Sequence, residues 1–320
     1  MAEPRQDLTF ASGSGTCHAW LYRPVGPPNA TIPCILMAHG IGGTRDAGLE
    51  PFADRFAAAG FAVLLFDYLH FGASTGEPRQ LFSVKQQLAD WQHAIACARG
   101  LPGIDPQKIA LWGTSFSGGH VIVTAAHDPR IAAVSALAPM MDGRAGLWLY
   151  LRSAGLLRLL EFTAMATCDR LRAWFPMPPL LIALVDRDEG LAVMHGRDAA
   201  AGCLSIAPPH WRNEICPRYA LTIGIYRPLK LAAKITCPVL IQICEQDQLV
   251  SNKAVIATAK ILGHNAEMIQ FPCGHFGIYH GPHFENAIAN QIEFFSRITV
   301  GVGAFPPLDS EVASRPPDER

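Results

Sequence analysis

The sequence has little charge, and neither sign is in excess. Charged residues make up 17% of the 320 residues, and 26 basic residues nearly balance 27 acidic ones, for a net charge of −1. Nucleic-acid-binding proteins usually carry a basic excess or a basic stripe, so we expect no nucleic-acid partner. Hydrophobic residues make up 50% of the chain, which is enough to bury a substantial core.

The nine cysteines lack the C-x-x-C spacing that is typical of zinc sites and redox motifs. Their number is odd, and Cys34 and Cys244 lie within apolar runs, where cysteine behaves as a small hydrophobic residue. Free thiols of this kind are typical of reduced, intracellular proteins. We therefore expect a cytoplasmic location and no metal site.

Targeting signals and long hydrophobic runs are also missing. The first ten residues show no basic region followed by an apolar run, so no signal peptide is expected. The uncharged stretch at 109–127 is nearly long enough to span a bilayer, but it contains three glycines, two histidines and several hydroxyl side chains. The apolar run at 173–185 is too short to cross a bilayer and is broken by prolines. We expect no membrane span.

Short apolar runs alternate with amphipathic stretches along most of the chain, after two β-like stretches near the start. Uniformly apolar strands that alternate with helices are typical of a parallel sheet with helices on both faces, so the predicted fold class is α/β. The predicted strands are 33–39, 61–67, 108–115, 131–137, 238–244 and 266–271, and the predicted helices are 49–59, 83–99, 116–126, 252–262 and 284–298.

Residues 140–229 interrupt this alternation. They contain helical patches, prolines and many aromatic residues, but no clear strand. Because α/β elements resume immediately afterwards, an inserted helical cap is favoured over a separate small domain. The predicted division is a core of 1–139 and 230–300, a cap at 140–229, and a disordered, Pro-rich tail at 301–320.

The clearest chemical signal is the sequence GTSFSGG at 113–119, between a predicted strand and a predicted helix. A serine on a sharp strand-to-helix turn exposes its Oγ at the carboxyl edge of the sheet, and small neighbours let helix and strand pack closely. Ser115 is the predicted nucleophile because glycine stands two residues before it and the strand ends there. Ser117 stands where G-x-S-x-G has its second glycine, and it remains a rival nucleophile.

A nucleophilic serine needs a base, and the base needs an acid that orients it. In a parallel sheet both are expected just beyond the carboxyl ends of later strands. The apolar run at 238–244 leads into Asp247, and the run at 266–271 leads into His275. Position distinguishes His275 from the other histidines, while Glu245 competes with Asp247 for the role of the acid.

From about residue 30 to 298 the chain resembles the α/β-hydrolase superfamily of serine hydrolases. The resemblance is carried by HGIGG at 39–43, the turn at Ser115, the segment that ends in Asp247, and the Gly-His pair that ends in His275. The motif GTSFSGG and the insertion look most like the branch with X-prolyl peptidase-like esterases, dienelactone-hydrolase-like proteins and fungal polyketide acyltransferases. The resemblance implies the α/β-hydrolase fold. No cofactor is expected, because no Gly-rich nucleotide loop follows an early strand with an acidic residue at the right distance and no HExxH motif exists.

A further stretch, 67–76, is similar to the family's D-x-R-G-x-G-x-S segment, with Leu69 and His70 in place of the usual Arg-Gly. The resemblance also implies an oxyanion hole formed by the backbone N–H groups of Ile41 and Phe116. The residues themselves agree with this, because Phe116 opens a helix and the turn around Ile41 is rich in glycine. His39 is interpreted as a residue that shapes this turn, with a direct catalytic role as the alternative.

The predicted function is cleavage of a carboxylic ester or thioester by a carboxylesterase-like serine hydrolase (EC 3.1.1.-). The alternatives are an acyltransferase that uses the same acyl-enzyme, a peptidase, lactonase or carbon–carbon hydrolase, and a non-catalytic ligand receptor on the same fold. The substrate is expected to be a small molecule with an apolar acyl or ring portion, and an apolar cap face would be compatible with a homodimer. The candidate substrate-pocket residues are His39, Tyr68, Trp148, Trp174 and Phe276, although the cap aromatics would equally serve as the cap's own core.

Overall fold

An eight-stranded sheet forms the centre of the computed structural model, which describes residues 5–24, 31–175, 177–187, 190–195 and 197–299. The strand order is β1-β2-β4-β3-β5-β6-β9-β10. The first two strands run antiparallel to their neighbours, and all pairs from β4 to β10 are parallel. The strands are β1 (Gln6–Ser12), β2 (Gly15–Tyr22), β3 (Ile32–Ala38), β4 (Ala62–Phe66), β5 (Ile104–Thr114), β6 (Ala133–Leu137), β7 (Ala183–Val185), β8 (Ala192–Met194), β9 (Val239–Cys244) and β10 (Ala266–Phe271).

Helices cover both faces of this sheet, because the parallel strands are apolar on both sides. One face packs against α2, α3 and α7, with Trp91 and Val121 in its core, and the other packs against α1 and α8, with Phe56 and Phe295 in its core. The helices are α1 (Glu50–Ala58), α2 (Val84–Gly100), α3 (Phe116–Ala125), α4 (Gly143–Arg172), α5 (Arg197–Ile206), α6 (Ala220–Ile223), α7 (Asn252–Leu262) and α8 (Gly281–Thr299).

The segment between β6 and β9 is mostly helical, and it contains α4, α5 and α6. Helix α4 is bent at Gly155, whose φ of 84° lies outside the helical region. The segment also contains the parallel pair β7 and β8, although the sequence shows no clear strand there. That expectation was wrong because each strand is only three residues long, too short for a recognisable alternation.

Within the described ranges, no helix is long and apolar enough to cross a membrane. All nine cysteines are free thiols, and most of them are buried. The predicted tail at 301–320 lies outside the described residues.

Candidate active site

Ser115 lies on the turn between β5 and α3. Its backbone has φ 53° and ψ −118°, a conformation that is uncommon for a residue other than glycine. The turn is held by the amide of Ser115, which donates to the carbonyl of Leu137 at 2.9 Å, and by the carbonyl of Ser115, which accepts from the amides of Gly118 and Met140. The side chain therefore has a fixed direction at the carboxyl edge of the sheet.

Two glycines allow this turn to be tight. A Cβ atom at Gly113 would lie 2.4 Å from the carbonyl oxygen of Ser117, and one at Gly118 would lie 2.6 Å from Cβ of Pro139. Larger residues would push the helix away from the strand, which explains why small residues flank Ser115.

His275 and Asp247 meet Ser115 at the same edge of the sheet, since β5, β6, β9 and β10 are parallel and in register there. Nε2 of His275 is 3.1 Å from Oγ of Ser115, and Nδ1 of His275 is 2.5 Å from Oδ2 of Asp247. The carboxylate accepts only, so Nδ1 carries the proton and Nε2 is free to accept the serine hydroxyl proton. The structure therefore brings the three predicted triad residues together.

The carboxylate of Asp247 is held in turn by the chain that follows it. Its Oδ1 accepts the amides of Leu249 at 2.8 Å and Val250 at 3.0 Å, and the side chain is completely buried. The alternative acid, Glu245, has an exposed side chain. Asp247 is thus the carboxylate that orients His275.

Ser117, the rival nucleophile, lies inside the fold with no exposed surface. Its hydroxyl shares a hydrogen bond of 2.7 Å with the hydroxyl of Tyr68, which also accepts Nε1–H of Trp91 at 2.8 Å. These buried contacts give Ser117 a structural environment, whereas Ser115 is the serine that contacts His275.

The turn at 39–43 follows β3 and lies beside Ser115. A Cβ atom at Gly40 would be only 3.0 Å from Cβ of Ser115. Ile41 on this turn and Phe116 at the start of α3 line the same cavity as Ser115. The amide of Phe116 belongs to the first helical turn, where amides have no intrahelical acceptor and favour negative charge. This arrangement places both predicted oxyanion residues beside Ser115.

Two residues of the segment between β6 and β9 contact this turn. Nε1–H of Trp211 donates to the carbonyl of Gly42 at 2.8 Å. Leu184 packs against Gly42, where a Cβ atom would lie 2.4 Å from Cδ1 of the leucine and where φ is +64°. The segment between β6 and β9 therefore contacts the turn that carries Ile41, and it contributes none of Ser115, Asp247 and His275.

His39 is buried at the base of the same turn. Its Nδ1–H donates to the carbonyl of Gly40 at 2.9 Å, and its ring contacts the ring of Tyr68 edge to face at 4.8 Å. Burial lowers the pKa of His39, although nearby Asp67 acts in the opposite direction. These contacts support the interpretation of His39 as a residue that shapes the turn.

Two cavities meet at Ser115. The larger, of about 440 Å³, lies under α4 and is lined mainly by apolar side chains, among them Phe116, Met140, Tyr150, Leu159, Phe162 and Val193. The smaller, of about 50 Å³, is lined by His39, Ile206, Ala207, Trp211, His275 and Phe276, among others. Ser115, Ile41 and Met194 belong to both cavities and separate one from the other.

The five predicted pocket residues divide into two groups. His39 and Phe276 line the smaller cavity. The other three line neither cavity. Tyr68 is completely buried, whereas Trp148 and Trp174 are 60% and 66% exposed.

The sequence analysis missed most of the residues that line the larger cavity. Several of them lie on α4 at helical spacing, including Gly143, Gly146, Leu147 and Tyr150 before the bend, and Leu159 and Phe162 after it. That spacing places the residues of each half of α4 on one helix face, because residues three or four apart lie on the same side, but it does not show that this face is turned towards Ser115.

Comparison with known proteins gives the family. A family model described as X-Pro dipeptidyl-peptidase (S15 family) matches residues 16–277. The chain belongs to the S15 family. Quorum-quenching protein AidA of Acinetobacter baumannii (strain MDR-ZJ06) is a relative with 39% identity, over 91% of this chain and 94% of its own length.

Two further similarities connect the S15-family chain with a fungal protein. Polyketide transferase grgF of a Penicillium species is 35% identical over 140 residues, which are 43% of this chain and 46% of the relative. The crystal structure of α/β hydrolase GrgF from Penicillium sp. sh18 superposes with a TM-score of 0.78 at 24% identity, over 93% of this chain and all of that one.

These similarities and the mostly parallel sheet confirm the α/β-hydrolase fold that the sequence predicted. The protein is an enzyme of the α/β-hydrolase class, and its relatives support ester hydrolysis or acyl transfer in general.

Proposed function

We propose that the protein is a serine hydrolase that cleaves a carboxylic ester or thioester through an acyl-enzyme on Ser115. The observation that carries the proposal is the continuous chain of hydrogen bonds from Asp247 through His275 to Ser115. A serine hydroxyl is a weak nucleophile on its own, and a base that is oriented by a buried carboxylate activates it.

In the first half of the reaction, Oγ of Ser115 forms a bond to the acyl carbon while its proton moves to Nε2 of His275. The carbonyl oxygen becomes an oxyanion, which the amides of Ile41 and Phe116 stabilise by hydrogen bonds. The bond from the acyl carbon to the leaving oxygen or sulfur then breaks, and the leaving atom takes the proton from Nε2. An alcohol or thiol departs, and the acyl group stays on Ser115.

In the second half, a water molecule gives one proton to Nε2 of His275 and forms a bond to the acyl carbon. The bond between the acyl carbon and Oγ of Ser115 breaks, and Oγ takes the proton back from Nε2. The products are a carboxylic acid and the free enzyme, so all protons and electron pairs are accounted for. Asp247 stabilises the charged imidazole at each stage and keeps it oriented.

The cavity linings favour esters over the N-terminal peptides that a dipeptidyl-peptidase would bind. Such a peptide carries an α-ammonium group, and a buried cation needs a carboxylate partner. Of the described residues that line the two cavities, none is Asp or Glu. We therefore propose an uncharged, apolar substrate portion.

Acyl transfer is the second candidate, because a polyketide transferase is among the relatives. Transfer would use the same acyl-enzyme, with an alcohol or thiol in place of water. The two reactions differ in what reaches Nε2 of His275 in the second half.

Labelling with a fluorophosphonate probe tests the proposal directly. We expect peptide mass mapping to find the label on Ser115, and we expect turnover of some member of a panel of methyl and p-nitrophenyl esters with C2 to C12 acyl groups. The Ser115→Ala variant should take no label, and the Ser117→Ala variant should still be labelled. A folded sample without label would contradict an assembled triad and would favour a ligand-binding role.

A further inference from the structure

The two cavities that meet at Ser115 differ in size, and His275 lines only the smaller one. We propose that the larger cavity binds the acyl group of the substrate, whereas the smaller one receives first the leaving group and then the attacking water. The inference rests on the proposed function and assigns its substrate class: an ester or thioester with a bulky apolar acyl group and a short alcohol or thiol.

The position of the base decides which cavity does what. The leaving atom must take a proton from Nε2 of His275, so it must come within hydrogen-bonding distance of that nitrogen. Among the described residues, His275 contributes to the lining of the smaller cavity and not to that of the larger one. The leaving group therefore points into the smaller cavity.

The remaining substituent of the carbonyl carbon must then lie on the other side of Ser115. Phe116, whose amide is proposed to bind the oxyanion, lines the larger cavity together with Met140, Leu159 and Phe162. With the oxyanion held between Ile41 and Phe116, the acyl substituent extends under α4. Burial of an apolar chain there strengthens binding with each CH₂ group that leaves water.

The sizes of the cavities set the expected selectivity. A volume of about 440 Å³ lies in the range of cavities that enclose small organic ligands. A volume of about 50 Å³ holds on the order of a few water molecules or a short alcohol. The attacking molecule of the second half-reaction must also reach His275, so the same restriction favours water over a bulky acceptor.

Gly146 provides a way to shorten the larger cavity. It lines that cavity on α4, and a Cβ atom there would meet no other atom within 4 Å. The Gly146→Phe variant should therefore place its ring in the cavity without displacing the backbone. Ala207 lines the smaller cavity, so Ala207→Leu is the corresponding variant on the other side.

Two ester series, each followed by the release of acid, test the assignment. One series varies the acyl group from acetyl to dodecanoyl as methyl esters, and the other varies the alcohol from methanol to octanol as butyrate esters. For the unaltered protein, we expect kcat/KM to rise with acyl length until the cavity is full and to fall as the alcohol lengthens.

The two variants should affect different series. We expect Gly146→Phe to lower the ratio of kcat/KM for long over short acyl groups by at least tenfold, and Ala207→Leu to lower the ratio for long over short alcohols. Gly100→Leu is the matched control, since Gly100 ends α2, lines neither cavity and also has open space at its Cβ. It should leave both ratios unchanged.

Other outcomes would overturn the assignment. If Gly146→Phe changed the alcohol series, or changed both series equally, the acyl group would not occupy the larger cavity. If added octanol lowered the release of acid from the acyl-enzyme as much as added methanol does, the smaller cavity would not be the route of the acceptor. Failure of the proposed function looks different, because Ser115 would then take no fluorophosphonate label and no ester of either series would be cleaved.

Discussion

Substitution of both Ser115 and Ser117 tests which of the two serines is the nucleophile more sharply than substitution of Ser115 alone. The structure predicts that Ser117→Ala reduces stability and leaves chemistry nearly intact. Ser117 is completely buried and shares a hydrogen bond with Tyr68, whose hydroxyl also accepts Nε1–H of Trp91. Alanine keeps the Cβ atom and removes only the hydroxyl.

The size of the effect follows from these contacts. Removal of one partner from a buried hydrogen bond costs about 1–3 kcal/mol when the other partner is left without a replacement. In a chain of 320 residues, with an unfolding entropy of about 2.1 cal/mol/K for each residue, that corresponds to a decrease in Tm of about 1.5–4.5 °C. Because Ser117 does not contact His275, kcat/KM should change by less than about threefold, far less than the loss expected for a triad residue.

Denaturation followed by circular dichroism and ester hydrolysis by both serine variants would measure these two effects. Ser115→Ala should lower kcat by about 10⁴- to 10⁶-fold, the scale of a missing triad nucleophile, with little change in Tm. If Ser117→Ala removed activity while Ser115→Ala kept it, the register of the turn would be wrong, and Ser117 would be the nucleophile.

Three further predictions concern the acid, the turn at 39–43 and a buried histidine. Asp247→Asn should lower kcat by about 10⁴-fold with the fold intact, because the amide no longer selects the required tautomer of His275; an unchanged kcat would point to Glu245. Trp211→Phe removes the hydrogen bond to the carbonyl of Gly42, which is worth about 1 kcal/mol. It should lower kcat about fivefold and change KM less than that, whereas a change in KM alone would contradict a positioning role. Burial lowers the pKa of His120 from 6.5 to about 3, so the unfolded chain takes up a proton at a pH where the folded one does not. The free energy of unfolding should fall by about 2 kcal/mol from pH 7 to pH 5 through this ring alone, and the urea-unfolding profile of His120→Gln should be flatter by that amount.

The triad geometry could be anticipated from the sequence because each residue follows the end of a strand. In a parallel sheet the carboxyl ends of the strands meet at one edge, so residues far apart in sequence are brought together by the register alone. The stretches that precede Ser115, Asp247 and His275 are strands in the structure. Strands β5 and β9 are largely buried, whereas the edge strand β10 is buried only at Phe271. The predicted helix at 252–262 and the predicted strand at 266–271 also have the same bounds in the structure.

The lining of the cavities could not be anticipated in the same way. Trp148 and Trp174 were candidates because large aromatic residues often line apolar pockets, but residue type does not tell which face of a helix is turned inward. The bend at Gly155 also changes the direction of α4 partway along its length, so one helical period does not describe both halves. As a result, the cavity is lined by residues such as Tyr150 and Phe162.

The segment between β6 and β9 contacts both cavities and the turn at 39–43. Helix α4 lines the larger cavity, and Ile206 and Ala207 at the end of α5 line the smaller one. The same segment supplies Trp211 and Leu184, which hold the turn that carries Ile41. A change in how this segment packs would therefore shift the proposed oxyanion donor as well as the walls of both cavities. Substitutions that move the segment should alter kcat together with chain-length preference, whereas Gly146→Phe, which only fills space, should act on chain length.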